Sequence, residues 1–295
     1  MTITAPLIEL FLQEHKFRPW RGRLLTLGRQ TILVDAMRLQ SLLSGYGIGW
    51  DPAQATYDSK TVQALQAADS KYVTDTTFFK SFTPEASLDV MDVTDYEGAN
   101  IIHDLCEPIP QNLCGTYDVI FNGSILDNIF DPAQAMRNMT RMLAPGGRVI
   151  HIEMASNYAF EYLIYSTDWF LDYYVLNNFR DCRIYVCTFK DAEEMVNGPW
   201  DVYTYMPKPN GDAYSLRSLG YQQAVVIAIA EKGEDSRFDA NPVQWCYRNE
   251  LMKQRHNERL AKLDETRPVS IFSGQPPFDF KAVKQGGFHY CGKTS

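Results

Sequence analysis

The sequence predicts a doubly wound α/β sheet, mostly parallel, with an antiparallel edge near its C-terminal end. Three observations carry this. Short apolar runs of five to seven residues end at Gly, Asp or Asn, the length and punctuation of buried strands. Segments with helical spacing of apolar residues separate several of them, which is the alternation that gives parallel strands covered on both faces. The last long apolar run, Ala224 to Ala230, follows an aromatic segment and two further strand candidates.

The elements follow in order. Residues 1–22 read as a short amphipathic lead-in. Arg23 to Leu27 is a first strand stopped by Gly28, and Thr31 to Leu43 places Leu33, Val34, Met37 and Leu43 at helical spacing. Residues 46–85 show no clear period and read as an insertion with one or two short helices. Ser87 to Met91 is a strand running into Asp92. Asn100 to His103 is a short strand ending at Asp104-Leu105, and Tyr117 to Phe121 ends at Asn122-Gly123-Ser124. Asp131 as N-cap with Pro132 at the first helical position opens a helix, and Ala144-Pro145-Gly146-Gly147 stops it. Arg148 to Met154 is the next strand. Ser166 caps a helix carrying Trp169, Phe170, Tyr173 and Tyr174. Arg183 to Phe189, Asp201 to Tyr205 and Ala224 to Ala230 are strands. A charged helix over 242–263 precedes a tail of Pro, Gly and isolated aromatics. This divides the chain into the lead-in (1–22), a main domain (23–233, with insertions at about 46–85 and 155–220) and a C-terminal helix and tail (234–295).

Composition narrows the partners. The 295 residues carry a net charge of -8, so the chain lacks the surplus of Lys and Arg with which a generic nucleic-acid clamp displaces counterions. No apolar run reaches the length of a membrane span, and the start has no secretory pattern. The six cysteines include no CxxC pair and match no zinc template, which predicts reduced thiols in a cytoplasmic protein and no metal. His103 and His151, inside apolar strands, read as satisfied core histidines. His15, His256 and His289 have no acidic or cysteine companions at metal spacing.

Ligands of an open α/β sheet bind beyond the carboxyl ends of the strands. Gly28-Arg29-Gln30, Asp92, Asp104 and Asn122-Gly123-Ser124 stand there. Gly28 lets a ligand approach the backbone. A helix opening after it presents unpaired N–H groups that suit a carboxylate. Asp92 can accept from both hydroxyls of a ribose, and Asp104 from an exocyclic amine such as that of adenine. Each acid alone reads as a strand-ending turn residue. Their order and spacing together favour a nucleoside site.

Here the chain, from about Gly22 to Lys232, resembles the class I S-adenosylmethionine-dependent methyltransferases, which have a Rossmann-like fold. The resembling segments are LLTLGRQ (24–30), LDVMDVTDYEGANIIHDLCEPIP (88–110), YDVIFNGSILDNIFDPAQAMRNMTRMLAPGGRVIHIE (117–153) and YSTDWFLDYYVLNNF (165–179). Within the superfamily they look closest to a bacterial branch linked to sugar or surface-glycan modification. The resemblance implies S-adenosylmethionine as cofactor, with Gly28, Arg29 and Gln30 in the loop after the first strand. It implies Asp92 at the ribose with Val93 beside the adenine, Asp104 and Leu105 near the adenine, and Asn122 where cofactor and acceptor meet. The implied activity is methyl transfer to a small-molecule or glycan acceptor at a hydroxyl, for which Asp127 and Glu153 are the candidate bases. Asp127 reads equally as a helix cap, and Glu153 as a buried ion-pair partner.

The chain departs from the pattern in three places. The first loop has one glycine and no preceding acid. Asp127-Asn128 stands where the branch has Glu-His, and residues 155–164 hold no histidine. These departures support a second expectation, a methyltransferase-fold protein that binds or scaffolds without chemistry. A nicotinamide-dependent oxidoreductase would need GxGxxG after the first strand, which is not there. The aromatic stretch 158–174 reads as core or as the face of a homodimer, and also as a platform for a flat acceptor. The charges of the 242–263 helix read as a solvated face.

Overall fold

The computed structural model describes residues 2–58, 71–95, 97–156, 161–206, 219, 223–263 and 287–294. Its strands are β1 (Thr2–Ile3), β2 (Arg23–Leu27), β3 (Thr31–Ile32), β4 (Ser87–Asp92), β5 (Ile101–Ile102), β6 (Tyr117–Gly123), β7 (Leu143–Met154), β8 (Asp181–Phe189), β9 (Asp201–Met206), β10 (Gln223–Glu231) and β11 (Gly287–Lys293). Its helices are α1 (Ala5–Phe17), α2 (Ala36–Gly45), α3 (Asp75–Phe82), α4 (Pro132–Met142), α5 (Thr167–Leu176), α6 (Ala192–Asn197) and α7 (Glu250–Leu260).

Nine strands form one sheet in the order β11-β9-β8-β10-β7-β6-β2-β4-β5. The run from β7 to β5 is parallel throughout. From β7 outward every pairing is antiparallel, β10 lying between β7 and β8. The expected fold class holds: a Rossmann-like α/β sheet with a parallel centre. Its antiparallel side is broader than a single edge strand, because the described end of the tail, β11, pairs with β9 from Gly287↔Met206 to Lys293↔Asp201.

Strand periodicity divides the core between the two faces. Along β10, Val225, Ile227 and Ile229 point into one cluster, while Val226, Ala228 and Ala230 point into the other. The first cluster is covered by α1, α2 and α3, through Leu7, Phe11, Leu39, Phe78 and Phe79. The second is covered by α4 and α5, through Met136, Met139, Phe170 and Tyr174. Each large apolar side chain so buried stabilises the fold by about 1.5–3 kcal/mol before cavity effects. The Glu14 side chain on α1 is fully buried and accepts from Arg148 Nη1 of β7 at 2.6 Å, so the first helix is tied to the sheet by an ion pair.

The caps agree with the sequence. Asp131 accepts from the Gln134 N–H at 3.0 Å with Pro132 at the first position of α4. Ser166 accepts from the Trp169 N–H at 3.3 Å. Strand β7 begins earlier than expected, at Leu143, because Leu143 pairs with Tyr117 of β6 and Gly146 and Gly147 exchange backbone hydrogen bonds with Lys232 beyond the end of β10.

Four expectations need correction. No helix opens directly after Gln30: Thr31 and Ile32 are β-branched and pair in parallel with Thr2 and Ile3. Helix α2 starts only at Ala36, where Asp35 accepts from the Arg38 N–H at 2.7 Å. Met37 consequently faces solvent, and Leu39, Leu42 and Leu43 form the buried face. His103 lies just past β5, half-exposed, its Nε2 3.1 Å from the Glu107 carbonyl, so it is no core histidine. The charged helix runs only over α7, and it is not solvated all round. His256 is buried with Nε2 2.9 Å from Asp172 Oδ1, an acidic companion that only the packing of α7 on α5 supplies.

Of the aromatic stretch, Phe170, Tyr173 and Tyr174 are buried core, whereas Tyr162 is exposed and Trp169 half-exposed. Residues 157–160 lie outside the described residues. Among the described residues no helix is long and apolar enough to cross a membrane, and no cluster of His, Cys, Asp and Glu is arranged to hold a metal ion.

Candidate functional site

The strand order reverses at β2. Strands β4 and β5 lie to one side of it and β6 and β7 to the other, which puts the switch point, where ligands of such sheets bind, at the carboxyl ends of β2 and β6. Four of the sequence-predicted segments meet there. Gly28 has φ +70°, a conformation that suits glycine, and its N–H donates to the Met91 carbonyl at 2.7 Å. That bond draws the loop onto the end of β4. A Cβ at position 28 would lie 3.5 Å from both Asp92 Oδ2 and Ile125 Cδ1, so the Asp92 carboxylate stands directly beside the glycine.

Asp92 closes an Asx turn. Its Oδ1 accepts from the Val93 N–H at 2.6 Å and the Thr94 N–H at 3.4 Å, which leaves Oδ2 on the side of Gly28. Val93 is exposed. Asp104 makes a similar turn, accepting from the Cys106 N–H at 2.8 Å, and remains exposed. Leu105 is buried, and its carbonyl accepts from Asn138 Nδ2 of α4 at 2.9 Å. The two turns are thus anchored by backbone, and both carboxylates keep a free side.

The loop after β2 is held by side chains from three directions. Arg29 Nη1 donates to Asp75 Oδ1 at 3.0 Å, and its Nε and Nη2 donate to the carbonyls of Glu97 and Gly98, both at 3.3 Å. The Gln30 N–H donates to Asp75 Oδ2 at 3.1 Å. The Gln30 side chain is buried, and its Nε2 donates to the carbonyls of Leu27 and Gly28 at 3.1 and 3.2 Å. Its Oε1 lies against Gly123 at the end of β6, where any Cβ would collide with it.

The ends of β6 and β7 hold a buried polar network. Asn122 is fully buried. One N–H of its amide donates to Glu153 Oε1 at 2.6 Å, and Nδ2 lies 2.9 Å from His151 Nδ1. Its Oδ1 accepts from the Ile125 N–H at 3.1 Å. Because Asn122 donates to Nδ1, His151 carries its proton on Nε2, which donates to the Tyr174 hydroxyl. Burial pushes the His151 imidazole down to about 3, so the ring is neutral. Here His151 is the satisfied core histidine that the sequence predicts.

Glu153 is fully buried, and its Oε1 also accepts from the Leu126 N–H at 3.2 Å. Burial first, then the neighbouring Asp127 charge, raises its carboxyl well above the ordinary range. Asp127 stands on a 3₁₀ turn, Leu126–Asn128, and is 1% exposed. Its carboxylate takes the Ser124 hydroxyl and the Asn128 amide, and burial raises its pKa as well. Ser124 has φ +60°, an uncommon conformation for a residue with a Cβ. The Tyr165 hydroxyl donates to the Leu126 carbonyl at 2.6 Å, and the Tyr162 N–H to the Asp127 carbonyl at 2.8 Å, so the segment before α5 is pinned to the same turn.

The structure therefore brings Gly28 to Asp92, Gln30 to Gly123, and Asn122 to Glu153 and the Asp127 turn. Asp104 and Leu105 stand at the next strand end. Sequence reasoning placed Ser124 only as part of the turn after β6, gave no site role to Tyr165 and Tyr174, and missed Asp75, which lies in a stretch with no period where nothing local marks it.

No family model matches the chain, and no curated protein matches it in sequence. Similar solved structures include the CMeT domain of the citrinin polyketide synthase, 12% identical, with TM-score 0.37 over 77% of this chain and 52% of that one. A Rhodobacter sphaeroides protein assigned to the Zn-dependent alcohol dehydrogenases is 14% identical, with TM-score 0.28 over 53% of this chain and 49% of that one. A SAM-dependent methyltransferase from Thermotoga maritima is 15% identical, with TM-score 0.37 over 78% and 90%. The chain spans about half the length of the first two. At these identities and scores the likenesses carry no argument about activity.

Proposed function

We propose that the chain transfers a methyl group from S-adenosylmethionine to a small-molecule or glycan acceptor, at a hydroxyl. The observation that carries the reading is the pairing of Gly28 with Asp92 at the point where the strand order reverses. There an acid with one oxygen left over faces a backbone that a ligand can approach closely.

The residues fit the nucleoside end of the cofactor. Asp92 would hold the ribose hydroxyls, with Val93, Asp104 and Leu105 toward the adenine and Asn122 at the end of β6. They do not fit its carboxylate end. The donors there, Arg29 and the Gln30 N–H, are already bound to Asp75.

The cofactor supplies a methyl group on a sulfonium. The chain's part is to orient an acceptor and take its proton. Asp127 and Glu153 have the raised basicity that proton uptake at neutral pH requires. The exposed Phe130, just after that turn in sequence, and the exposed Tyr162, whose N–H donates to the Asp127 carbonyl, suit a flat acceptor.

A second reading is a binding or scaffolding protein without chemistry. It is favoured by the near-complete burial of both carboxyls, whose oxygens are largely occupied within the chain. Calorimetric titration with S-adenosylmethionine, beside an Asp92→Ala variant, tests the site. Micromolar binding lost in the variant supports the cofactor groove. No binding to folded wild-type protein removes it.

A further inference from the structure

The loop after β2 aims two anion donors at one point, and the chain's own carboxylate occupies that point. Asp75 receives Arg29 Nη1 at 3.0 Å, the Gln30 N–H at 3.1 Å and the Thr76 N–H at 2.7 Å. Arg29 spends its other donors on the Glu97 and Gly98 carbonyls and the Thr76 hydroxyl. Asp75 is 3% exposed, so this is a closed, paired site.

The occupant is not free to leave. Asp75 opens α3, where the Thr74 hydroxyl caps the helix by accepting from the Thr77 N–H at 3.1 Å. Phe78, Phe79 and Phe82 of the same helix are buried, with ring contacts to Phe11, Trp20 and Phe121 at 5.4 to 6.3 Å. Withdrawing Asp75 would drag three buried phenylalanines with it.

From this we infer that Asp75 is a built-in substitute for the ligand's carboxylate, so the groove binds adenosine thioethers through their nucleoside alone. The inference rests on the nucleoside reading of the groove and adds its ligand class: 5′-thioadenosines, whether or not the tail carries a carboxylate. The one anionic group of S-adenosylmethionine is that carboxylate. Entering here, it meets donors already taken and the carboxylates of Asp75 and Asp92 nearby. A carboxylate without donors is costly to bury, whereas a short uncharged tail meets no such penalty.

The test is calorimetric titration of the full chain with methylthioadenosine and with S-adenosylhomocysteine, on the wild type and on Asp75→Ala. The expected wild-type result is two affinities within about threefold of each other, by the tenfold-per-1.4 kcal/mol scale of binding. In Asp75→Ala the Arg29 and Gln30 donors are released. S-adenosylhomocysteine should then bind at least about tenfold more tightly, with methylthioadenosine unchanged. A wild type that prefers S-adenosylhomocysteine by about tenfold or more overturns the inference and leaves the nucleoside groove standing. A folded Asp75→Ala variant with no carboxylate-dependent gain overturns it as well. Binding of neither ligand to the wild type removes the groove and the inference together. If Asp75→Ala does not fold, by circular dichroism, the wild-type pair decides alone.

Discussion

The Asn122 amide and the Glu153 carboxyl meet at 2.6 Å across the ends of two neighbouring parallel strands, both fully buried. Asn122 spends every polar atom in this contact and its neighbours: Nδ2 on Glu153 and His151, Oδ1 on the Ile125 N–H. It fixes the turn that carries Asp127. Asn122→Ala would leave His151 Nδ1 and the half-buried Ile125 N–H without this partner and Glu153 Oε1 with the Leu126 N–H alone, and the expected loss is about 3 kcal/mol. Urea denaturation checks this. A loss under about 1 kcal/mol would mean that water replaces the amide.

Glu153 gives a pH signature with a definite sign. Its folded pKa lies above its unfolded value, because burial and the Asp127 charge favour the protonated form. Its contribution is complete below the ordinary carboxylate range, near pH 4.5, and is lost as pH rises through the folded value. Glu153→Gln keeps the shape and does not ionise. The variant should therefore gain on the wild type as pH climbs from 4.5 toward the raised folded value, with near-equality at the acid end. Urea midpoints across that range report it, and a flat difference would show that Glu153 titrates normally.

His151 acts with the opposite sign. Burial lowers its folded value to about 3 from 6.5. The unfolded chain then binds the extra proton, so stability is complete above 6.5 and falls as pH drops toward 3. By pH 4.5 the loss is about 2–3 kcal/mol at 1.36 kcal/mol per unit. A His151→Gln variant should lack this acid limb while starting from a lower stability at pH 7. Thermal melts at pH 5 and pH 7 separate the two effects.

Much of this was legible in the sequence, for a physical reason. Strands β4, β6, β8 and β10 and helices α4 and α5 are written in local signals: an apolar run and its stop, Asp131-Pro132, the Ser166 cap. The acids at strand ends could be placed because the ends could. The loop from Gly28 to Asp35 could not. Its apolar spacing fits a helix, but Thr31 and Ile32 take partners from Thr2 and Ile3, some thirty residues away. The role of Arg29 was likewise hidden, since Asp75 reaches it from an unpatterned stretch through the packing of α3.

Gly123 and Gln30 form a contact that a double substitution can isolate. A Cβ at 123 would strike Gln30 Oε1 and approach Phe121 Cε1 to 2.9 Å. Overpacking of this kind costs about 1–3 kcal/mol. Gly123→Ala should be destabilised by that amount. Adding Gln30→Ala should recover part of it, because the offending atom is gone while the Phe121 contact stays. Denaturation of the two single variants and the double measures the coupling. Strict additivity would show that the Gln30 side chain does not pack on β6.

Asp127 distinguishes chemistry from scaffolding. Its carboxylate is held by the Ser124 hydroxyl and the Asn128 amide, with burial raising its basicity. Asp127→Asn preserves the shape of the turn. S-adenosylmethionine affinity should stay within about threefold of wild type, since Asp127 is not among the groups proposed to hold the nucleoside. Methyl transfer to any acceptor found by screening should fall about a hundredfold or more, the usual worth of a positioned general base. If affinity and rate both hold, Asp127 only caps its turn, and Glu153 becomes the remaining candidate base. If affinity collapses with a folded variant, Asp127 faces the ligand itself, and the acceptor must approach from the side of Tyr162.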